Sequence, residues 1–235
     1  MCMWESAAEE IVEQLLASLS AADPETRLDA AEGLSDIAQN AYGVNGAALG
    51  AKMRDLGGVQ QLTALLSDHD LPVRVMVLFI VGNLCSDAVD PNSALTKTLL
   101  LEQGAAPALL ACAASSDLDL RTLACAALQN LCHEPAWARC VVSSGVVPLF
   151  EAFLSAPGTD ARVVHYTSGL LQNVVRSLEA EGAPPPRIGS SAWGVVCLSW
   201  LKPARCLSWH IPAACIGALP TFHRLLCPEG LPSTS

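Results

Sequence analysis

Residues 118–132 read LDLRTLACAALQNLC, and 47 residues earlier, residues 71–85 read LPVRVMVLFIVGNLC. Leu, Arg, Asn, Leu and Cys recur at the same five places, as Leu71 and Leu118, Arg74 and Arg121, Asn83 and Asn130, Leu84 and Leu131, Cys85 and Cys132. The remaining apolar residues keep a common phase. Val73, Met76, Val77, Ile80, Val81 and Leu84 in the first copy, and Leu120, Leu123, Ala124, Ala127, Leu128 and Leu131 in the second, follow i, i+3, i+4, i+7, i+8, i+11. That is one stripe of a 3.6-residue helix. A helix that must bury one face, recurring every forty-odd residues, predicts an array in which each unit covers its neighbour.

The phase extends in both directions. Upstream, Asp23 suits an N-cap and Pro24 a first helical position. In the helix PETRLDAAEGLSDIA that follows, Arg27 and Asp36 fall 47 residues before Arg74 and Asn83. Downstream, Val163, Tyr166, Thr167, Leu170, Leu171 and Val174 form the stripe of a helix over residues 161–178, and Asn173 lies 43 residues after Asn130. Between the long helices the same punctuation returns. A first helix over residues 47–56 breaks at Gly57-Gly58, and VQQLTALL, APALLACA and VVPLFEAFL read as short second helices. The breaks Gly104 to Pro107 and Gly145 to Pro148 introduce the last two. At the start, Trp4 to Leu19 reads as an amphipathic helix with Ile11, Leu15, Leu16 and Leu19 on its apolar side and Glu5, Glu9, Glu10 and Glu13 in its early turns. It caps the end of the array.

The segment from Pro24 resembles the third helix of an armadillo repeat, whose pattern runs Pro-Glu, two Ala, then Leu-Ser-Asn-Leu. Pro24, Glu25, Ala30, Ala31, Leu34 and Ser35 match; Asp36 stands where the family has Asn. The resemblance covers residues 11–178, and its force lies in three steps in register. HEAT repeats are the nearest rival, but the three-helix rhythm and the Gly-x-x-Pro entry favour armadillo. It implies an all-α, right-handed superhelical solenoid of three to four armadillo-type repeats. The expected organisation is a capping helix in 1–22, the array in 23–178, a linker in 179–190 and an irregular C-terminal tail in 191–235, disordered or loosely docked.

Composition narrows the function. The net charge is −10, and residues 1–70 carry 12 acids against 3 bases. Such a balance disfavours nucleic acid and anionic membrane surfaces, and no apolar run reaches the roughly 20 residues of a membrane span. Ten cysteines occur without a C-x-x-C pair, and residues 1–20 carry acids where a signal peptide has bases. The expectation is reduced thiols in a cytoplasmic or nuclear protein. In the tail, Cys197, Cys206, His210, Cys215, His223 and Cys227 are numerous enough for zinc, but their spacing lacks the close pair of zinc modules. No metal or cofactor is expected. No nucleophile elbow, P-loop, dinucleotide fingerprint or zincin motif is present, and the acid pairs Asp68/Asp70 and Asp117/Asp119 sit at helix entries, where capping is their use. The reading is therefore a monomeric, non-enzymatic scaffold that binds a protein or peptide partner. The alternative is an armadillo-fold regulator resembling nucleotide-exchange factors of Hsp70 or small GTPases.

In armadillo proteins the third helices line a concave groove, and an Asn on each bonds an extended peptide backbone, since an amide both donates and accepts. The resemblance implies Asn83, Asn130 and Asn173 in that role, with Asp36 at the equivalent place and Phe79 one turn before Asn83. The competing use is internal, with the same asparagines tying helices within the stack. Importin-type grooves carry a Trp four residues before each Asn. Here those places hold Glu32, Phe79, Ala126 and Gly169, so cages for Lys or Arg are missing and nuclear-import cargo is not expected.

Overall fold

The computed structural model describes residues 4–190, 192, 195 and 196, with side chains from Glu9 onward. Among the described residues there are eleven helices and no strand. They are α1 (Trp4–Leu19), α2 (Pro24–Asn40), α3 (Val44–Asp55), α4 (Gly58–Leu65), α5 (Leu71–Leu84), α6 (Ser93–Glu102), α7 (Ala106–Ala113), α8 (Leu118–Leu131), α9 (Pro135–Ser143), α10 (Val147–Ser155) and α11 (Ala161–Ala180). Three complete three-helix units, α3–α5, α6–α8 and α9–α11, follow the pair α1–α2. The long third helices stack in sequence, α2 on α5, α5 on α8 and α8 on α11, while α1 covers the free flank of α2.

Each third helix starts from an aspartate. Asp23 accepts from Thr26 N at 2.8 Å, Asp70 from Val73 N at 3.2 Å, Asp117 from Leu120 N at 2.8 Å and Asp160 from Arg162 N at 2.8 Å. These bonds satisfy donors that the first turn of a helix leaves open. The recurring arginine closes the preceding turn. Arg27 donates to Ala21 O, and Arg121 to Ser115 O, each six residues back. The breaks between first and second helices use left-handed glycines, Gly57 (φ 71°), Gly104 (φ 76°) and Gly145 (φ 74°), a conformation other residues adopt only with strain.

The first helices are locked by charge. Arg54 on α3 donates to the wholly buried Asp90 at 2.8 Å and to Thr96 on α6 at 2.7 Å. Lys97 on α6 is buried and reaches Asp87 at 2.7 Å, with Glu134 at 3.9 Å, and its backbone carbonyl accepts from the indole of buried Trp137 on α9 at 2.8 Å. The loop carrying Asp90 passes so close to α3 that a Cβ at Gly46 would lie 1.8 Å from Val89 O, and one at Gly50 would lie 2.0 Å from the Asp90 carboxylate.

The repeated stripes form the core as expected from their phase. Three details differ from the sequence reading. Val12, not Ile11, joins Leu16 and Leu19 in the core, and Ile11 is exposed, because at ~100° per residue it lies about 100° from the centre of the buried arc. Helix α3 begins at Val44, ahead of residue 47, and α6 and α9 are first helices that periodicity did not mark. The stretch after α11 is more than a spacer. Ile188, Ala192 and Val196 are buried, and Gly189 N donates to Glu151 on α10 at 2.5 Å.

Candidate functional site: the inner face of the third helices

On a helix advancing ~100° per residue, Leu71, Val75, Leu78 and Gly82 lie opposite the buried stripe of α5, with Phe79 and Asn83 beside them. The equivalent row on α8 is Leu118, Thr122, Cys125, Ala126 and Gln129. On α2 it is Leu28, Ala31, Glu32 and Ser35, with Asp36 beside them, and on α11 it is His165, Ser168, Gly169 and Gln172. Because the four helices stack flank to flank, these rows form one continuous face.

Of the five residues expected to meet a partner, only Asp36 is exposed. Phe79, Asn83, Asn130 and Asn173 are buried. Asn130 Nδ2 donates to Gly82 O at 2.9 Å, and Asn173 Nδ2 donates to Gln129 O at 2.8 Å. Each acceptor is the residue just before the previous unit's asparagine. The two amides therefore act as equivalent ties from one third helix to the one before it, the internal use. Ser177 and Thr167 add contacts of the same kind, Ser177 Oγ to Cys132 O at 2.7 Å and Thr167 Oγ1 to Cys125 Sγ at 3.6 Å.

The N-terminal end of the face has a different character. Glu32 and Asp36 are one turn apart on α2, at the places held by Phe79 and Asn83 on α5. Burial raises the carboxyl pKa of both, and for Glu32 the charges of Asp29 and Asp36 raise it further. Glu32 Oε1 is buried without a hydrogen-bond partner. An acid so placed is destabilised as an anion and is relieved by an incoming cation. Sequence reading took Glu32 only as a missing tryptophan; its i, i+4 spacing from Asp36 was the signal that marked the pair.

The described residues hold no cluster of three or more His, Cys, Asp or Glu suited to a metal ion. The cysteine and histidine set considered for zinc lies outside the described residues. Burial pushes the Cys85 thiol up to about 12 and Cys125 to about 11, and raises Cys132 as well, which leaves these three inert as nucleophiles. No single helix among the described residues is long and apolar enough to cross a membrane.

Residues 93–133, covering α6 to α8, match the family model for the armadillo/beta-catenin-like repeat. No curated protein matches the chain. Solved structures do. An engineered protein superposes with a TM-score of 0.63 at 23% identity, covering 83% of this chain and 73% of its own. A designed armadillo repeat protein gives 0.61 at 16% identity, covering 79% of each chain. Another, in complex with the peptide (KR)4, gives 0.59 at 18% identity over 81% of this chain and 79% of its own. Stacked three-helix units, a matched repeat and these neighbours define an armadillo-repeat solenoid. The described residues are all-α and take the fold of an armadillo-type solenoid, with one repeat, residues 93–133, matched by the family model.

Proposed function

We propose that this chain is a protein-interaction scaffold that takes a basic, extended segment of a partner protein on the inner face of its third helices, entering at α2. The observation that carries the reading is the pair Glu32 and Asp36: two carboxyls one turn apart, both with raised pKa, one oxygen buried and unpartnered. Lys or Arg side chains supply the missing charge and donors. The net charge of −10 favours a basic partner over nucleic acid or an anionic membrane. That a designed neighbour holds a Lys-Arg peptide supports the ligand class. Five free cysteines among the described residues support a reducing compartment, cytoplasmic or nuclear.

Calorimetric titration of the full chain with the peptide (KR)4, and with (DE)4 as control, tests this. Binding is expected for the basic peptide only, weakening as salt rises and falling at least threefold in the double variant Glu32→Gln, Asp36→Asn. Equal behaviour of the two peptides, or binding indifferent to the double variant, removes the acid pair as the site.

A further inference from the structure

The arginine that recurs every 47 residues ends differently in each third helix. Arg27 spans to the next unit: its Nε and Nη2 lie 3.0 and 3.1 Å from the carboxylate of Asp68, in the turn after α4. Arg121 also leans on the next unit, its guanidinium 5.0 Å from the ring centroid of Phe153 on α10. Both bond the turn before their own helix as well, at Ala21 O and Ser115 O. The side chain of Arg74 does neither. Its Nε is buried without a hydrogen-bond partner, and no acid among the described residues lies within ion-pair distance of it. A buried guanidinium nitrogen left without an acceptor is destabilising, and an oxyanion is the group that relieves it.

The repeat register places a hydroxyl there instead. Ser115 follows Asp68 by 47 residues, as Arg74 follows Arg27, and α8 packs on α5 as α5 packs on α2. Ser115, in the turn after α7, therefore stands to Arg74 as Asp68 stands to Arg27. A second relation agrees. Burial raises the pKa of the Cys112 thiol, and the charge of Arg74 opposes that rise; Ser115 N in turn donates to Cys112 O at 3.1 Å. Arg74 thus faces the end of α7 from which Ser115 follows. The acids of these turns are already engaged. Asp70 and Asp117 cap α5 and α8, Asp68 is held by Arg27, and Asp119 faces Arg162 at 3.6 Å. What the middle junction lacks is a negative charge at position 115.

We infer that Ser115 is a phosphorylation site and that its phosphate is the anion missing at Arg74. The residue is half-buried in a turn, and its Oγ accepts from Asp117 N at 3.1 Å, a bond the ester oxygen can keep. The phosphoryl group comes from ATP through a Ser/Thr protein kinase. The Ser115 Oγ–phosphorus bond forms as the bond from the γ-phosphorus to the β–γ bridging oxygen breaks, ADP leaves, and the hydroxyl proton passes to the general base of the kinase. The product carries about two negative charges and three acceptor oxygens, which a guanidinium takes on two parallel N–H bonds. The junction of α5 and α8 then gains the clasp that Arg27 and Asp68 give the junction before it. This site is separate from the acid pair on α2, and neither reading depends on the other.

The full chain with phosphoserine installed at position 115 during synthesis is compared with the unmodified chain, each also as Arg74→Gln. In phosphorus-31 NMR titration, the second ionisation of the phosphate is expected at least about 0.5 pH lower with Arg74 present than in Arg74→Gln. In thermal scans the phosphate is expected to raise the melting temperature by about 2–4 °C, a gain that shrinks in high salt and is absent in Arg74→Gln. Equal titrations with and without Arg74, or a melting temperature lowered by the phosphate, overturn the inference. Access is read by treating the native full chain with MgATP and an acid-directed Ser/Thr kinase and mapping the product by mass spectrometry. Label on Ser115 is expected; label confined to Ser116, or none in the turn, also overturns it.

Discussion

At the scale of single residues, Asn130 and Asn173 show how one spacing serves two ends. Both sit on the shoulder of a helix, a position whose spacing alone does not distinguish a neighbouring helix from a ligand on the inner face. Their recurrence was therefore legible in the sequence and their use was not; only the bonds to Gly82 O and Gln129 O settle where their amides go. Replacing Asn130 by Ala is expected to cost about 1–3 kcal/mol, the range for a buried carbonyl that loses its donor, and to lower the melting temperature while the helical signal stays intact. Glu32 shows the opposite balance. Its folded pKa lies above the ordinary value, so the folded state favours the protonated form. At neutral pH, where the carboxyl is ionised in the unfolded chain, that preference subtracts from stability; below the unfolded pKa the deficit disappears. Glu32→Gln is expected to raise the melting temperature at pH 7, with the gain shrinking toward pH 4, while weakening (KR)4 binding. Thermal scans at the two pH values check it. A variant less stable at pH 7 than the parent speaks for Glu32 as a structural residue.

At the scale of elements, the aspartate caps and long amphipathic helices were legible because both signals are local: a cap sits beside the donors it satisfies, and a stripe repeats within a dozen residues. Helices α6 and α9 were not. They run to 10 and 9 residues, too short for a period to establish itself, and α6 buries Lys97 in its middle, where an apolar residue is the normal sign of a core face. The ion contacts that make Lys97 acceptable come from Asp87 and Glu134, outside its helix. The same holds at α3. Its glycines look like weak points for a helix, yet at Gly50 the missing side chain is what lets the Asp90 carboxylate approach. Gly50→Ala, which improves helix propensity by up to about 1 kcal/mol, is expected to destabilise by about 1–3 kcal/mol through overpacking, measurable in urea unfolding. Asp117→Ala is expected to cost about 1 kcal/mol by loss of the cap on α8.

At the scale of the whole molecule, the core is one contiguous cluster from Val12 to Val196, so the units stand or fall together with their neighbours. The thiols report on this. Cys85, Cys112, Cys125 and Cys132 are buried and free, and burial raises the pKa of all four. Native protein at pH 8 is expected to leave them unreacted with an alkylating reagent over hours, and denatured protein to expose them all together. Stepwise release would show the units opening one by one. A further consequence lies in the asparagine ties. One runs from α8 to α5 and one from α11 to α8, and each fastens a helix to the carbonyl just before its predecessor's asparagine. Neighbouring helices are thereby kept from sliding along their axes and from rolling about them. The last three rungs of the ladder, α5, α8 and α11, are thus pegged in order, each of the later two to the one before it.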